Sequence, residues 1–305
     1  MIRVRVPATS ANLGPGFDAL GLAVALYNVF DLEEAEGLVL EGAAPGESGP
    51  ENLLVRAYRR GLEELGLPWR GLRARFAADI PVARGLGSSA ACIVGGLLAA
   101  GRAGSGAAGA SGAGLPRGRI LELAAEIEGH PDNTSPALLG GFAAAVMEGG
   151  RVEAVRAPLG GELAFLAMVP PFPLSTAKAR AALPKTLPFA DAARNSGRAA
   201  LVAAAFLARD WDRLEAACSD RLHEPYRAPL IPGFEAAVAA ARAAGALAVY
   251  LSGAGPTVMA LGRAGDAALE AGIAAACAAA KPAPWRLYRL AADDQGAVIE
   301  PGGGA

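Results

Sequence analysis

The stretch that most limits what this chain can become is PVARGLGSSAACIVGGLLAAGRA, beginning at Pro81. From Ser88 to Gly101 it carries no charge, and its residues are small or apolar. A helix with no polar side has to be buried all round. Ser88 and Ser89 are good cap residues for its start. The first N–H groups of a helix have no internal partners, and the dipole leaves partial positive charge there. With Gly85 and Gly87 leading in, that end is an anion site made from backbone alone. The two hydroxyls add ligands for phosphate oxygens or for Mg²⁺. No lysine stands in the loop, so it is not a Walker A motif, and its spacing is not G-x-G-x-x-G. An ordinary capped helix accounts for this stretch alone as well as a phosphate loop does.

Composition removes other classes. The 305 residues are 53% hydrophobic and carry a formal net charge of -2. That length holds one large domain or two ordinary ones. The charge offers nothing to a nucleic-acid backbone. No apolar run reaches the roughly 18 residues of a spanning helix. MIRVRVPATSANLG has no apolar segment of a secretory signal, so a cytoplasmic chain with no membrane partner is expected. Cys92, Cys218 and Cys277 are widely spaced among small residues and read as buried thiols. His130 and His223 are the only histidines, which makes a zinc site of clustered histidine and cysteine a poor fit.

Strands are expected at IRVRVPAT, LVLEGA, LRARFAADIPV, GGFAAAV, ELAFLAMVPPF and WRLYRLAAD. Helices are expected from Asn52 to Gly66, from Ser88, from Leu115 to Gly129, from Asn195 to Ala217, and from Phe234. ALAVYLSGAGPTVMALG reads as strand, glycine turn, then strand or helix. GRAGSGAAGASGAG, Gly101 to Gly114, reads as a flexible surface excursion, and the tail EPGGGA as disordered. Mixed elements fill both halves, with a boundary near Val155 to Gly161.

Two more glycine-rich stretches follow strands. PATSANLGPGFDALG crowds Asn12, Gly14, Gly16 and Asp18 into one turn, and LSGAGPTV forms another. Each alone reads equally as a plain turn; three together point to a shared site. EGHPDN packs Glu128, His130, Asp132 and Asn133 into six residues after a helix. Phosphoryl transfer needs Mg²⁺ on hard oxygen ligands, and Glu128 is the candidate carboxylate, with Glu126 next in line.

Taken together, these residues resemble the GHMP kinase family. PVARGLGSSAA is similar to its central motif P-x-x-x-G-L-G-S-S-A, and PATSANLGPGFDALG and LSGAGPTV to its first and third motifs. The resemblance runs from about Val4 to about Leu290. It implies a two-domain α+β GHMP kinase fold. Residues 1–158 would form a nucleotide-binding domain like domain 2 of ribosomal protein S5, and 159–305 a ferredoxin-like domain. It also implies ATP, with phosphates on Pro81, Arg84, Gly85, Leu86, Gly87, Ser88, Ser89 and Ala90. Adenosine, in a syn form, would lie near Asn52. Mg²⁺ would sit on Ser89 and Glu128.

The wording of the first motif, with ENLLVRA, EGHPDN, LSTAKAR and HEPYRAPLIPGF, is most similar to members that phosphorylate the amino acid L-homoserine. That resemblance puts Asn12, Asp18 and Thr176 at the reacting hydroxyl. It puts Arg180 and Arg227 on the α-carboxylate, with His130 and Gly253 lining the pocket. A guanidinium fork suits a carboxylate because it donates two parallel hydrogen bonds. Without the resemblance, both arginines read as solvated surface charge. No lysine stands near Asp18 in sequence, so Asp18 is expected to orient the hydroxyl more than to deprotonate it. Thr134 and Ser135 stand where the family has small apolar residues. A homodimer is the implied assembly. Competing readings are a kinase for another small alcohol, and a binding protein that kept the fold without turnover.

Overall fold

The alternation in IRVRVPATSA does become a strand, and the glycine-rich turn behind it makes the strand double back. The computed structural model describes residues 1–106 and 114–300. The first part of the chain runs β1 (Ile2–Ala11), β2 (Leu20–Glu33), β3 (Gly37–Glu41), α1 (Leu53–Glu64), β4 (Gly71–Ala78), α2 (Ser88–Gly106), α3 (Arg117–Glu128), α4 (Pro131–Leu139), β5 (Phe142–Glu148) and β6 (Arg151–Ala157). The second part runs β7 (Leu163–Val169), α5 (Thr176–Ala181), α6 (Phe189–Ala208), α7 (Leu214–Ala217), α8 (Glu224–Arg227), α9 (Phe234–Ala243), β8 (Ala248–Leu251), β9 (Val258–Arg263), α10 (Ala267–Ala279), β10 (Arg286–Leu290) and β11 (Val298–Glu300).

The first sheet is ordered β11-β1-β2-β4-β3, with β5 and β6 added along the early part of β2. Its last strand, β11, comes from the far end of the chain and pairs antiparallel with β1. Helix α2 packs on β1 and α1 as its uncharged sequence requires. Ala90, Ile93, Val94, Leu97 and Ala99 are fully buried. The second sheet is antiparallel and ordered β10-β7-β9-β8. With helices between β7 and β8 and between β9 and β10, this is the ferredoxin-like arrangement.

Period-2 alternation explains how that second sheet joins two cores. Phe165 and Ala167 of β7, Tyr250 of β8 and Met259 and Leu261 of β9 face the core shared with the first sheet. Their neighbours Leu166, Met168, Val249, Leu251, Val258 and Ala260 face the other way, onto Phe234, Val238 and Ala241 of α9 and Leu269 and Ile273 of α10. Helix α6 is fastened to the shared core by Phe206. Its ring stacks on Phe142 at 4.6 Å and meets Trp211 edge-on at 5.6 Å.

Several elements differ from the sequence expectation. Strand β2 was not expected at all, nor was β6. The helix expected over Asn195 to Ala217 ends at Ala208, where Arg209 takes a left-handed φ of 57°. Trp211 then turns inward, with its indole N–H donating to Glu162. The expected excursion from Gly101 begins as the last turns of α2, because Gly101 and Gly104 lie against Leu115 and Leu65. Residues 107–113 of that stretch lie outside the described residues, as do 301–305 of the tail. Glu300 of the tail is in β11.

Phe206→Ala is expected to cost about 3–5 kcal/mol, the range for emptying a buried aromatic site. Urea unfolding followed by circular dichroism measures it.

Candidate active site

The β1–β2 turn, the entry to α2 and the β8–β9 turn meet in one place and bond to one another. Thr9 N donates to Leu86 O at 3.1 Å, and Gly253 N to Ala11 O at 3.0 Å. Asn12 Nδ2 donates to Gly253 O at 2.9 Å. Ser252 Oγ donates to Gly85 O at 2.6 Å. Because Ser252 spends its one proton there, Ser10 donates to it at 2.8 Å, and Tyr250 donates to Ser10 at 3.2 Å. Gly87 has φ +72°, and a Cβ there would run into Thr9. Gly14 has φ +77°, and a Cβ there would run into the Cys218 carbonyl. Neither position admits a side chain.

Between these turns lies a cleft of about 590 Å³. It is lined by Asn12, Asp18, Asn52, Arg84, Gly85, Gly87, Ser88, Ser89, Glu128, His130, Thr176, Arg180, Arg227 and Gly253, all expected from sequence. Asp132 and Asn133 of the EGHPDN cluster line it too, though no role was assigned to them, and Glu47, Cys92 and Ser175 were not expected. Three expected residues have side chains elsewhere. Leu86 and Ala90 are fully buried in the core, and Pro81 is outside the lining. The signal in PVARGLGSSAA therefore belongs to backbone at Leu86 and Ala90. Ala91 N makes the first intrahelical bond, to Gly87 O at 2.9 Å. The amides of Ser88, Ser89 and Ala90 precede it and are the ones left without helical partners.

Two further side chains are already committed. Asn52 caps α1: its Oδ1 accepts from Leu54 N at 2.9 Å, and its Nδ2 donates to Glu47 O at 2.8 Å. Arg84 donates to the carbonyls of Val82, Pro170 and Pro171. Both line the cleft while serving the loop that shapes it. Thr134 and Ser135 are fully buried inside α4.

At the loop end, Ser89 Oγ donates to Glu128 Oε1 at 2.6 Å. Burial raises the Glu128 pKa, opposed by that hydrogen bond. Among the described residues no arginine or lysine pairs with it. An uncompensated carboxylate beside a hydroxyl is an oxygen donor pair that fits Mg²⁺. Glu126 is exposed and lies 3.9 Å from Arg60, away from the cleft lining.

At the other end, Asp18 takes a left-handed φ of 56°, which Asp tolerates better than most residues. Its backbone N–H donates to Asn12 Oδ1 at 3.1 Å. Its two carboxylate oxygens accept from Arg180 Nη2 at 2.8 Å and Nη1 at 3.1 Å. His130 caps α4, and its Nδ1 bonds Asp132 Oδ1. Burial opposes charge on His130, but Asp132, Asp18 and Glu128 together raise its pKa. Thr9 Oγ1 donates to Asn133 Oδ1 at 2.8 Å. Arg227, 2% exposed, donates from Nη1 to Gly253 O at 3.1 Å and from Nε to Ala179 O at 3.3 Å. Behind it, and outside the cleft lining, stand His223 and Phe17.

Glu224 holds the third turn in place: its Oε2 accepts from Leu251 N at 2.9 Å, next to Ser252. Burial pushes its pKa up to about 7. A carboxyl whose folded pKa exceeds its unfolded value of 4.5 contributes stability below the lower value and loses it as pH rises through the upper one. Glu224→Gln keeps the acceptor and removes the charge. It is expected to match the native chain at acidic pH and to exceed it by about 2 kcal/mol above pH ~7. Thermal unfolding across pH measures the gap; a gap that closes with rising pH contradicts the assignment.

Comparison with known proteins now bears on this geometry. The model described as GHMP kinases N terminal domain matches residues 52–141, and that described as GHMP kinases C terminal matches 202–279. A homoserine kinase of Clostridium botulinum is 42% identical over 300 residues, 98% of each chain. A homoserine kinase of Caldicellulosiruptor bescii is 42% identical over 304 residues, 98% of this chain and 97% of that one. The crystal structure of homoserine kinase from Cytophaga hutchinsonii matches with a TM-score of 0.81 at 29% identity, over 98% of this chain and 97% of that one. No helix among the described residues is long and apolar enough to cross a membrane. The chain belongs to the GHMP kinase family, and the homoserine kinases are members it is similar to over nearly its whole length.

Proposed function

We propose that this chain transfers the γ-phosphoryl group of ATP to the side-chain hydroxyl of L-homoserine, giving O-phospho-L-homoserine. The observation that carries this reading is the make-up of the cleft between the three turns. A helix N-terminus and glycine loop stand at one end, and two arginines and two carboxylates stand at the other. The names of the relatives support the same substrate.

The amides of Ser88, Ser89 and Ala90 receive phosphate oxygens, so no loop lysine is needed. Ser89 Oγ and Glu128 would hold Mg²⁺, which when bound neutralises phosphate charge. Arg227 and Arg180 receive the α-carboxylate of the amino acid. Asn12, Asp18 and Thr176 orient the hydroxyl, with His130 and Gly253 beside it. Asp18 has both oxygens on Arg180. That arrangement favours holding a donor in place over removing its proton. A loose transition state lets positioning and charge neutralisation carry most of the rate. The proton then leaves to solvent or to the phosphate.

Coupled ADP release with Mg·ATP and a panel of L-homoserine, D-homoserine, L-serine, L-threonine, mevalonate and galactose tests the substrate. Turnover confined to L-homoserine is expected; turnover only on another alcohol refutes the assignment. Glu128→Gln is expected to raise the Mg²⁺ concentration for half-maximal rate about tenfold or more, with the KM for homoserine little changed. A magnesium titration of the variant decides it.

A further inference from the structure

We propose that His223 is a positioning residue for the substrate carboxylate: it aims Arg227 without touching substrate and ties that aim to the turn carrying Asp18. The inference rests on the reading that Arg227 receives the carboxylate of homoserine.

His223 is fully buried. Its Nε2 lies 2.8 Å from Gly14 O, and its Nδ1 lies 3.3 Å from Arg227 Nη1. A carbonyl oxygen only accepts, so Nε2 carries the proton. A guanidinium only donates, so Nδ1 is bare. The two bonds together fix one tautomer, the neutral Nε2–H form. Burial lowers the His223 pKa against the pull of Asp220, whose Oδ2 is 3.7 Å from Nε2. The neutral form is the one Arg227 requires, since a proton on Nδ1 would face its own positive charge.

His223 and Arg227 are four residues apart at the two ends of one short helical turn, so they share a face. Phe17 completes the arrangement. Its ring lies 5.3 Å from the His223 ring, 5.2 Å from Arg227 Cζ and 5.5 Å from Arg180 Cζ. One aromatic ring thus attracts both guanidiniums, which would otherwise repel each other. Arg227 Nε and Nη1 are engaged by Ala179 O, Gly253 O and His223. Among the described residues Nη2 has no hydrogen-bond partner, and Arg227 lines the cleft. His223 therefore selects which of the guanidinium nitrogens is presented.

Two variants of similar polarity separate the two bonds. In His223→Asn, Oδ1 can still accept from Arg227. In His223→Gln, the longer amide can donate to Gly14 O, and Arg227 Nη1 loses its side-chain acceptor and keeps only Gly253 O. The KM for L-homoserine, and its Kd by calorimetry, are expected to rise about tenfold in His223→Gln and less than threefold in His223→Asn. The KM for ATP and kcat are expected to stay within about twofold. Equal losses in the two variants, or losses in kcat and ATP affinity alongside homoserine, overturn the proposal. If either variant fails to fold, Phe17→Leu at its half-buried site carries the test. A two- to fivefold rise confined to homoserine supports the arrangement, and no rise overturns it. Native protein that does not turn over L-homoserine would sink the functional reading before any variant is made.

Discussion

Tyr250, Ser10, Ser252 and Gly85 form a single file of hydrogen bonds, each hydroxyl donating to the next and the last to a backbone carbonyl. The file crosses from the second sheet to the first and back to the β8–β9 turn, and ends on the glycine loop before α2. Its first two bonds are buried and its last is partly buried at the cleft, so the hydroxyls within must be satisfied by one another. Its effect is to set the height of Gly85 relative to the β8–β9 turn. The amides at the start of α2 then face the cleft because the loop before them has nowhere else to go. The two sheets do not merely pack; they share the loop that leads into α2.

The second sheet has both faces buried, one on each core. That explains why a hairpin turn at Ser252–Thr257 can serve as a wall of the site. Its flanking strands are held from both sides, and Glu224 fixes the last amide of β8. A loop on a half-exposed sheet edge would be free to move. This one is tied to Ala11, Gly85 and Asn12 by hydrogen bonds.

Much of this was legible in the sequence, and the failures have physical reasons. The uncharged run after Ser88 could only be a buried helix. The order of the three glycine-rich stretches pointed to one shared site. Strand β2 was hidden because its first residues, Leu20 to Val24, are buried without alternation, between β1 on one side and β5 on the other. A strand paired on both edges and covered on both faces leaves no period-2 signature. Gly101 and Gly104 looked like flexibility but serve close helix packing. Asn52 and Arg84 were found, yet composition could not reveal that backbone groups had claimed their polar atoms. His223 had a signal that went unused: one of two histidines, four residues before an arginine. Spacing of that kind marks a pair on one helical face, and only coordinates reveal whether the pair is engaged.

The distribution of charge follows from what the loop lacks. Without a lysine, positive charge at the loop end comes from the helix amides and from Arg84, whose guanidinium is tied to the Val82, Pro170 and Pro171 carbonyls. Glu128 adds a buried carboxyl to that end. The other end holds Arg180 and Arg227 against Asp18 and Asp132. Burial lowers the Arg227 pKa, and the nearby Arg180 adds to that. Phe17 offers its ring face to both, Asp18 takes Arg180, and neutral His223 accepts from Arg227. A site arranged in this way discriminates by shape and charge together. A neutral sugar would leave the buried Arg227 without an anionic partner, and a dicarboxylate would meet Asp18 and Asp132. An amino acid carrying one carboxylate, one ammonium and one hydroxyl satisfies each group in turn.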